Sequence, residues 1–85
     1  METDEVLFQR WRTRADARAM GELFDRHAPQ LLKLAIHLVG DAAAAEDLVQ
    51  ATFLAAIEQR ERLDVSRPIG PWLVGVLTNK AHEQR

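Results

Sequence analysis

Apolar residues recur at intervals of three and four along most of the chain, the spacing of one face of an α-helix. Val6, Leu7 and Trp11 mark one face of a short first helix with Thr3 as its N-cap. A long amphipathic second helix follows from Asp16, and Gly40 is expected to end it in a left-handed conformation.

Two further helices complete the pattern. The third is expected to begin after the N-cap Asp41 and to end near Arg60 or Arg62. The last is expected to start near Pro71, a residue that suits a first helical position, and to bury Trp72. The predicted apolar stripe of the third helix consists of Ala45, Leu48, Val49, Thr52, Phe53, Ala56 and Ile57.

Two features interrupt the helical pattern. Pro29 lies inside the second helix and should kink or split it near Ala28. The stretch "RLDVSRPIGP" before the last helix is rich in turn-forming residues and is predicted to be a loop. β-branched residues are too few and too isolated to form a sheet. The sequence therefore predicts an all-α fold, a small bundle of about four helices.

Composition limits the function classes. The chain has 85 residues and a net charge of −2, which fits a single domain over residues 1–85 and argues against binding nucleic acid by charge alone. The absence of cysteine excludes a disulfide scaffold and a thiolate metal site. No apolar run approaches the ~20 residues that span a bilayer, and the acidic N-terminus does not resemble a signal peptide. We expect a cytoplasmic protein without membrane contact.

The sequence contains little that would support catalysis. Neither Gly-x-Ser-x-Gly nor His-Glu-x-x-His occurs. His27 and His37 are about three turns apart on one helix, so they cannot share a metal without a third element, and we expect both on the surface. Glu46 and Asp47 are adjacent and point about 100° apart, which prevents them from acting as an acid/base pair. We predict a protein that is not an enzyme and uses no cofactor and no metal.

Three polar residues stand near the start of the third helix, and the residues alone leave two explanations open. Glu46 and Gln50 are one turn apart, and Asp47 and Gln50 are three residues apart, so each pair shares a helix face. Acidic residues near a helix N-terminus are stabilised by the helix dipole by about 0.3–1 kcal/mol. Alternatively, an exposed carboxylate and amide on one face can bind a partner.

The order of several sequence blocks resembles region 2 of bacterial sigma factors. The blocks are "LFDRHAPQLLKLAIHLVGDAAAAEDLVQATFLAAI" and "RPIGPWLVGVLTNKA". The most similar group is the extracytoplasmic-function (ECF) group of the sigma-70 superfamily, and the similarity covers roughly residues 6–85. The Asp-Leu-Val-Gln block, followed by Pro-Trp-Leu and then Asn, is its most specific part.

The resemblance implies two binding surfaces. Asp47 and Gln50 match residues that dock on the clamp-helix coiled coil of the largest subunit of core RNA polymerase, and Leu48 and Glu46 lie beside them. The loop over residues 64–69 matches a loop that captures a flipped base of the melted −10 promoter element, on the non-template strand. The candidate DNA-binding residues are Ser66, Arg67, Asn79, Lys80 and Arg85. An anti-sigma protein is a further candidate partner.

The sequence departs from the family pattern in several places. Ala51 stands where a glutamate is frequent, which removes one polymerase contact, and Ile57 replaces a frequent aromatic residue. The last helix is less basic than is usual, so promoter recognition is the role that these departures weaken most. The helix-turn-helix domain that reads the −35 element in this family is missing from the chain, and we expect an excised domain or a truncated chain.

Two other functions fit parts of the sequence. A helical protein–protein interaction module without DNA contact would explain the amphipathic helices but not the Asp47/Gln50 pair or the loop. An autonomous helix-turn-helix protein would need a basic second helix. The turn in "LVGDAAAAED" leads instead into an acidic helix, which phosphates would repel.

Overall fold

The computed structural model describes residues 1–83, and its architecture is the predicted all-α bundle. Four helices follow one another, with a single turn of 3-10 helix, Arg60–Arg62, after the third. The helices are α1 (Asp4–Arg14), α2 (Ala17–Val39), α3 (Ala42–Glu58) and α4 (Ile69–Glu83). Over this described part of the chain, no helix is both long enough and apolar enough to cross a membrane.

Local hydrogen bonds explain where the first three helices begin, and they confirm the predicted caps. The hydroxyl of Thr3 accepts a hydrogen bond from the Val6 N–H at 3.2 Å, and the carboxylate of Asp41 accepts one from Ala44 at 2.9 Å. Asp16 caps α2 in the same way. These side chains satisfy N–H groups that have no partner inside their helix. Gly40 ends α2 with φ of 73°, as predicted.

The core lies where α2 packs against α1, α3 and α4. Its centre is built by five leucines of 0% exposure, one from each of α1, α2 and α3 and two from α4: Leu7, Leu23, Leu48, Leu73 and Leu77. Aromatic rings continue this core across three helices. The rings of Trp11 and Phe24 meet edge to face at 5.3 Å, and those of Phe24 and Phe53 stack at 4.2 Å.

Three expected helix features differ from the structure. Pro29 does not split α2, which runs unbroken from Ala17 to Val39. The proline removes one hydrogen bond, but Phe24 and Leu31, both buried, hold the helix against the core on either side of it. The last helix begins at Ile69 rather than near Pro71, and a proline in the first turn disrupts no intrahelical hydrogen bond.

The end of α3 was also placed too late by the sequence. The α-helix stops at Glu58, and the chain tightens into the 3-10 turn before Leu63. Ile57, expected in the buried stripe, is 42% exposed. Trp72 is only partly buried, although it packs against the core.

Candidate functional site

The exposed face of α3 carries the predicted polar group. Glu46, Asp47 and Gln50 are all exposed. None of the three forms a side-chain hydrogen bond or ion pair with another residue of the described range 1–83. Their polar atoms are therefore available to a binding partner.

The position of these residues argues against a purely local role. α3 begins at Ala42, and its first turn contains no acidic residue. Glu46 and Asp47 lie beyond that turn, while the influence of the helix dipole falls off within it. The cap Asp41 already accepts a hydrogen bond from one of the N-terminal N–H groups, that of Ala44. Stabilisation of the helix end thus explains why an aspartate stands at position 41, but it does not explain the aspartate at position 47.

Leu48 was predicted both in the apolar stripe of the third helix and among the polymerase-binding residues; its burial confirms the first assignment and contradicts the second. Its side chain has 0% exposure and belongs to the core. Successive residues of a helix point about 100° apart, so a neighbour of Asp47 in sequence faces the interior of the bundle. The exposed apolar residue on the Asp47 side is Leu54, seven residues further on and 56% exposed.

The predicted loop is an ordered turn built on Asp64. One of its carboxylate oxygens accepts hydrogen bonds from the Ser66 hydroxyl at 2.6 Å and from the Ser66 N–H at 2.9 Å. The Arg67 N–H donates to the Asp64 carbonyl at 3.1 Å, which closes the turn. The hydroxyl hydrogen bond from Ser66 is the main cause that lowers the pKa of Asp64 below its usual value.

The turn uses part of the hydrogen-bonding capacity of Ser66 but leaves the Arg67 side chain exposed. The Ser66 hydroxyl already donates to Asp64, so only its oxygen lone pairs can accept from a ligand. The Arg67 side chain is 84% exposed, and its Nε lies 3.8 Å from the Asp64 carboxylate. Arg67 is consequently free to turn toward a phosphate or a base edge.

Two adjoining clefts lie beside the loop. The larger, of about 490 Å³, separates the loop from the start of α1 and is lined by residues that include Asp4, Glu5, His27 and Pro68. The smaller, of about 390 Å³, has aromatic walls from Phe8 and Trp72. Both combine apolar and polar walls, as sites for small planar groups do.

His27 was expected on the helix surface, and the structure corrects this. Its side chain is 16% exposed, and Nε2 lies 2.8 Å from a carboxylate oxygen of Asp4. Arg26 binds the other oxygen of Asp4 at 3.1 Å. The imidazole also lies against Gly70, where a Cβ atom would come within 3.3 Å of it. His27 therefore joins α1, α2 and the start of α4 beside the larger cleft.

The remaining predicted DNA-binding residues lie on α4 or beyond it. Asn79 is exposed and Lys80 is half-buried. Asn79 follows Trp72 by seven residues, so both lie on one side of α4, about 10 Å apart along its axis. Arg85 lies outside the described residues. Ser66, Arg67 and Asn79 are exposed on the loop and on α4, which follows it directly. Asp47 lies about 16 Å up α3 from the helix end that leads into the loop.

Two arginines at the base of the loop were missed as functional candidates. Arg12 of α1 donates to the Leu63 carbonyl at 3.0 Å and to the Glu61 carbonyl at 2.5 Å. Arg60 donates in return to the carbonyls of Arg12 and Trp11, at 2.6 and 3.2 Å. Nothing in the local sequence marks a pair that is 48 residues apart.

Within residues 1–83, no three histidine or acidic side chains lie close enough to hold a metal ion. The arrangement is suited to binding: a polar face of α3 without side-chain partners in residues 1–83 at one place, and a hydrogen-bonded loop beside two clefts at another.

Comparison with known proteins agrees with this description. Residues 23–85 match the model of the Sigma-70 region 2 family. The chain belongs to that family, and its relatives place it in the ECF group. It is 43% identical over 72 residues to the ECF RNA polymerase sigma factor SigL of Mycobacterium tuberculosis, covering 84% of this chain and 41% of SigL. It is 40% identical over 65 residues to the RNA polymerase sigma factor CarQ of Myxococcus xanthus, covering 76% of this chain and 37% of CarQ.

A solved structure has the same fold. The NMR structure of an engineered region 2 of sigmaE in complex with GTAAAA superimposes with a TM-score of 0.89 and 26% identity, covering 98% of this chain and 85% of that chain. The chain spans less than half the length of the two sigma factors named above.

Proposed function

We propose that this chain is the part of a promoter-specificity subunit that docks on core RNA polymerase and recognises and melts the −10 element. The observation that carries the proposal is the α3 face, on which Asp47 and Gln50 are exposed, unpaired within the described residues and beyond the reach of the helix dipole. A carboxylate and an amide on one face suit charge-assisted hydrogen bonds to the side chains of a coiled coil. Glu46 and Leu54 extend this surface.

The DNA surface is proposed on the loop and α4. A base turned out of a melted strand is bound by stacking and by hydrogen bonds to its edge, and both need a cleft with mixed walls. The clefts beside Asp64–Pro68 offer such walls, with Arg67 exposed between them. Asn79 lies further along α4 on the Trp72 side, where it would meet a neighbouring base. The sigmaE region 2 of the same fold was solved in complex with GTAAAA, which supports this surface.

The charge of the chain fits a subunit that does not act alone. If Arg67, Lys80 and Arg85 each contact one phosphate, the salt slope of single-strand binding is only about −2. The isolated domain should therefore bind promoter DNA weakly at physiological salt. Docking on polymerase supplies the missing affinity, because tethering raises the effective concentration of DNA at the loop.

The other expectations follow from this role. A polymerase subunit of this kind works without catalysis of its own, in the cytoplasm, where RNA polymerase acts. An anti-sigma protein that covers the α3 face would control it. A second domain that reads the −35 element would act beside it in a longer protein.

The test is a titration of the fluorescently labelled chain with core RNA polymerase. Asp47→Ala combined with Gln50→Ala should weaken binding at least tenfold, because hydrogen bonds to a charged group contribute roughly 1.5–3 kcal/mol each. Asp25→Ala, which removes an exposed carboxylate on α2, is the matched control and should bind normally. Circular dichroism should show the same helicity in all three proteins.

Unchanged affinity of the double variant would show that the α3 face does not bind core RNA polymerase. Loss of helicity in that variant would mean that both residues are structural. Tight polymerase binding by a chain that never opens promoter DNA would instead favour the protein–protein interaction module.

A further inference from the structure

Contacts that lead to α1 lie on both sides of the loop over residues 64–69. At its start, the guanidinium of Arg12 holds the carbonyls of Glu61 and Leu63, and Arg60 holds the carbonyls of Trp11 and Arg12. We call this pair of arginines, Arg12 and Arg60, the arginine clasp. At the end of the loop, His27 joins Asp4 to Gly70.

The arginine clasp has a clear physical basis. The last carbonyls of a helix have no partner inside it and carry the negative end of its dipole, so Arg60 meets the end of α1 favourably. Arg12 does the same for the carbonyls that leave the 3-10 turn. The Arg60 side chain is 26% exposed and Arg12 is half-buried, so solvent screens these hydrogen bonds only partly.

The arginine clasp joins α1 to a residue of the Sigma-70 region 2 match, because Arg60 lies inside that match. The match to the Sigma-70 region 2 model starts at Leu23, so α1 and Arg12 lie outside the matched residues. α1 nevertheless supplies Asp4, Glu5 and Phe8 to the wall of the larger cleft, opposite the loop. Any change in the distance between α1 and the loop changes the width of that cleft.

From these contacts we propose that Arg12 is a positioning residue for DNA recognition. With Arg60, it sets the spacing between α1 and the loop, and this spacing determines how selectively the cleft accepts one base. The proposal rests on the proposed DNA-binding function and extends it to a helix outside the family match. It assigns no direct DNA contact to Arg12.

The experiment is a selection of bound strands from a pool of single-stranded DNA with six randomised positions. The chain is assembled with core RNA polymerase, and bound strands are sequenced. For Arg12→Ala, we expect base preference to fall roughly tenfold, about 1.4 kcal/mol, at one position of the bound strand. Preference at the other positions and affinity for polymerase should be unchanged.

Three further variants separate positioning from folding. Arg60→Ala removes the other half of the clasp and should lose preference at the same position. Arg12→Lys keeps the charge and should fail to restore it, because an ammonium lacks the planar fork that holds two carbonyls at once. Arg14→Ala, an exposed arginine of the same helix, should behave as the unmodified chain does.

Failure of the positioning role and failure of the proposed DNA function give different results in this experiment. An unchanged preference in Arg12→Ala, or an equal loss at every position, overturns the positioning role. Loss of helicity in Arg12→Ala together with normal selectivity in Arg60→Ala overturns it as well. If the unmodified chain selects no base at any position, the proposed DNA function itself fails.

Discussion

The Nε2 atom of His27 lies 2.8 Å from a carboxylate oxygen of Asp4 and links the middle of α2 to the first turn of α1. Because His27 is largely buried, this link should contribute measurably to stability. His27→Ala is expected to lower the free energy of unfolding by about 1–3 kcal/mol, through the lost hydrogen bond and the lost packing. Urea denaturation measures this, with the exposed His37 replaced by Ala as control. Equal stability of the two variants would contradict the prediction.

The close approach of Gly70 to the His27 ring predicts that their substitutions are coupled. In the unmodified chain, Gly70→Ala must displace the ring, because the new Cβ would lie 3.3 Å from Cε1. Without the ring this steric cost is absent, so Gly70→Ala should stabilise the fold by roughly 0.5–1 kcal/mol, because alanine suits a helix better than glycine. A double-mutant cycle in urea gives the coupling, and strict additivity would show that the ring does not restrict Gly70.

The burial of Leu48 separates it sharply from its exposed neighbours on α3. Leu48→Ala should cost about 2–5 kcal/mol, as expected for a large side chain removed from a packed core. Leu54→Ala should change stability by less than about 0.5 kcal/mol, because more than half of that side chain is exposed. Thermal unfolding of both variants tests this. A tolerated Leu48→Ala would return that residue to the binding surface.

Asn79 is expected to act on DNA and not on polymerase. Asn79→Ala should lower the yield of open promoter complexes while leaving affinity for core polymerase unchanged. Val74→Ala, an exposed position on the opposite side of α4, is the control. Permanganate reactivity of unpaired thymines reports the open complex, and normal opening by Asn79→Ala would exclude it from the DNA surface.

The loop has a pH dependence that can be checked by NMR titration of Asp64. The hydrogen bonds of Ser66 lower the pKa of this carboxyl, first through the hydroxyl and then through the N–H, and Arg67 adds less. A depressed folded pKa means that the stabilising contact is fully present above the ordinary Asp value of about 3.9 and is lost as pH falls through the lowered value. Ser66→Ala should raise the pKa of Asp64 more than Arg67→Ala does; the reverse order would contradict this account of the turn.

The sequence predicted those features of the fold that depend on residues within about one helical turn of each other. Caps such as Thr3 and Asp41 and the left-handed Gly40 act within one turn, so their residue types identify them. Pro29 does not split α2, because tertiary packing of that helix outweighs the loss of one hydrogen bond. Leu48 was misplaced on the binding surface because adjacency in sequence was taken for adjacency on a helix face.

The rest depends on contacts between distant segments. Arg12 and Arg60 look like ordinary surface residues until the fold brings α1 to the end of α3. The same is true of His27, whose partners Asp4 and Gly70 lie far from it in sequence. The resemblance to sigma region 2 points to the α3 face and the loop, but only the fold shows which residues of each are exposed.

The central proposal is that α3 contacts polymerase while the loop contacts DNA. Site-specific photocrosslinking in a complex of the chain, core RNA polymerase and promoter DNA tests both contacts together. A benzoylphenylalanine replaces Glu46 in one protein and Pro68 in another, both exposed positions. We expect position 46 to crosslink to the largest polymerase subunit and position 68 to crosslink to the non-template strand. Crosslinks from position 46 to DNA, or from position 68 to polymerase alone, would contradict it.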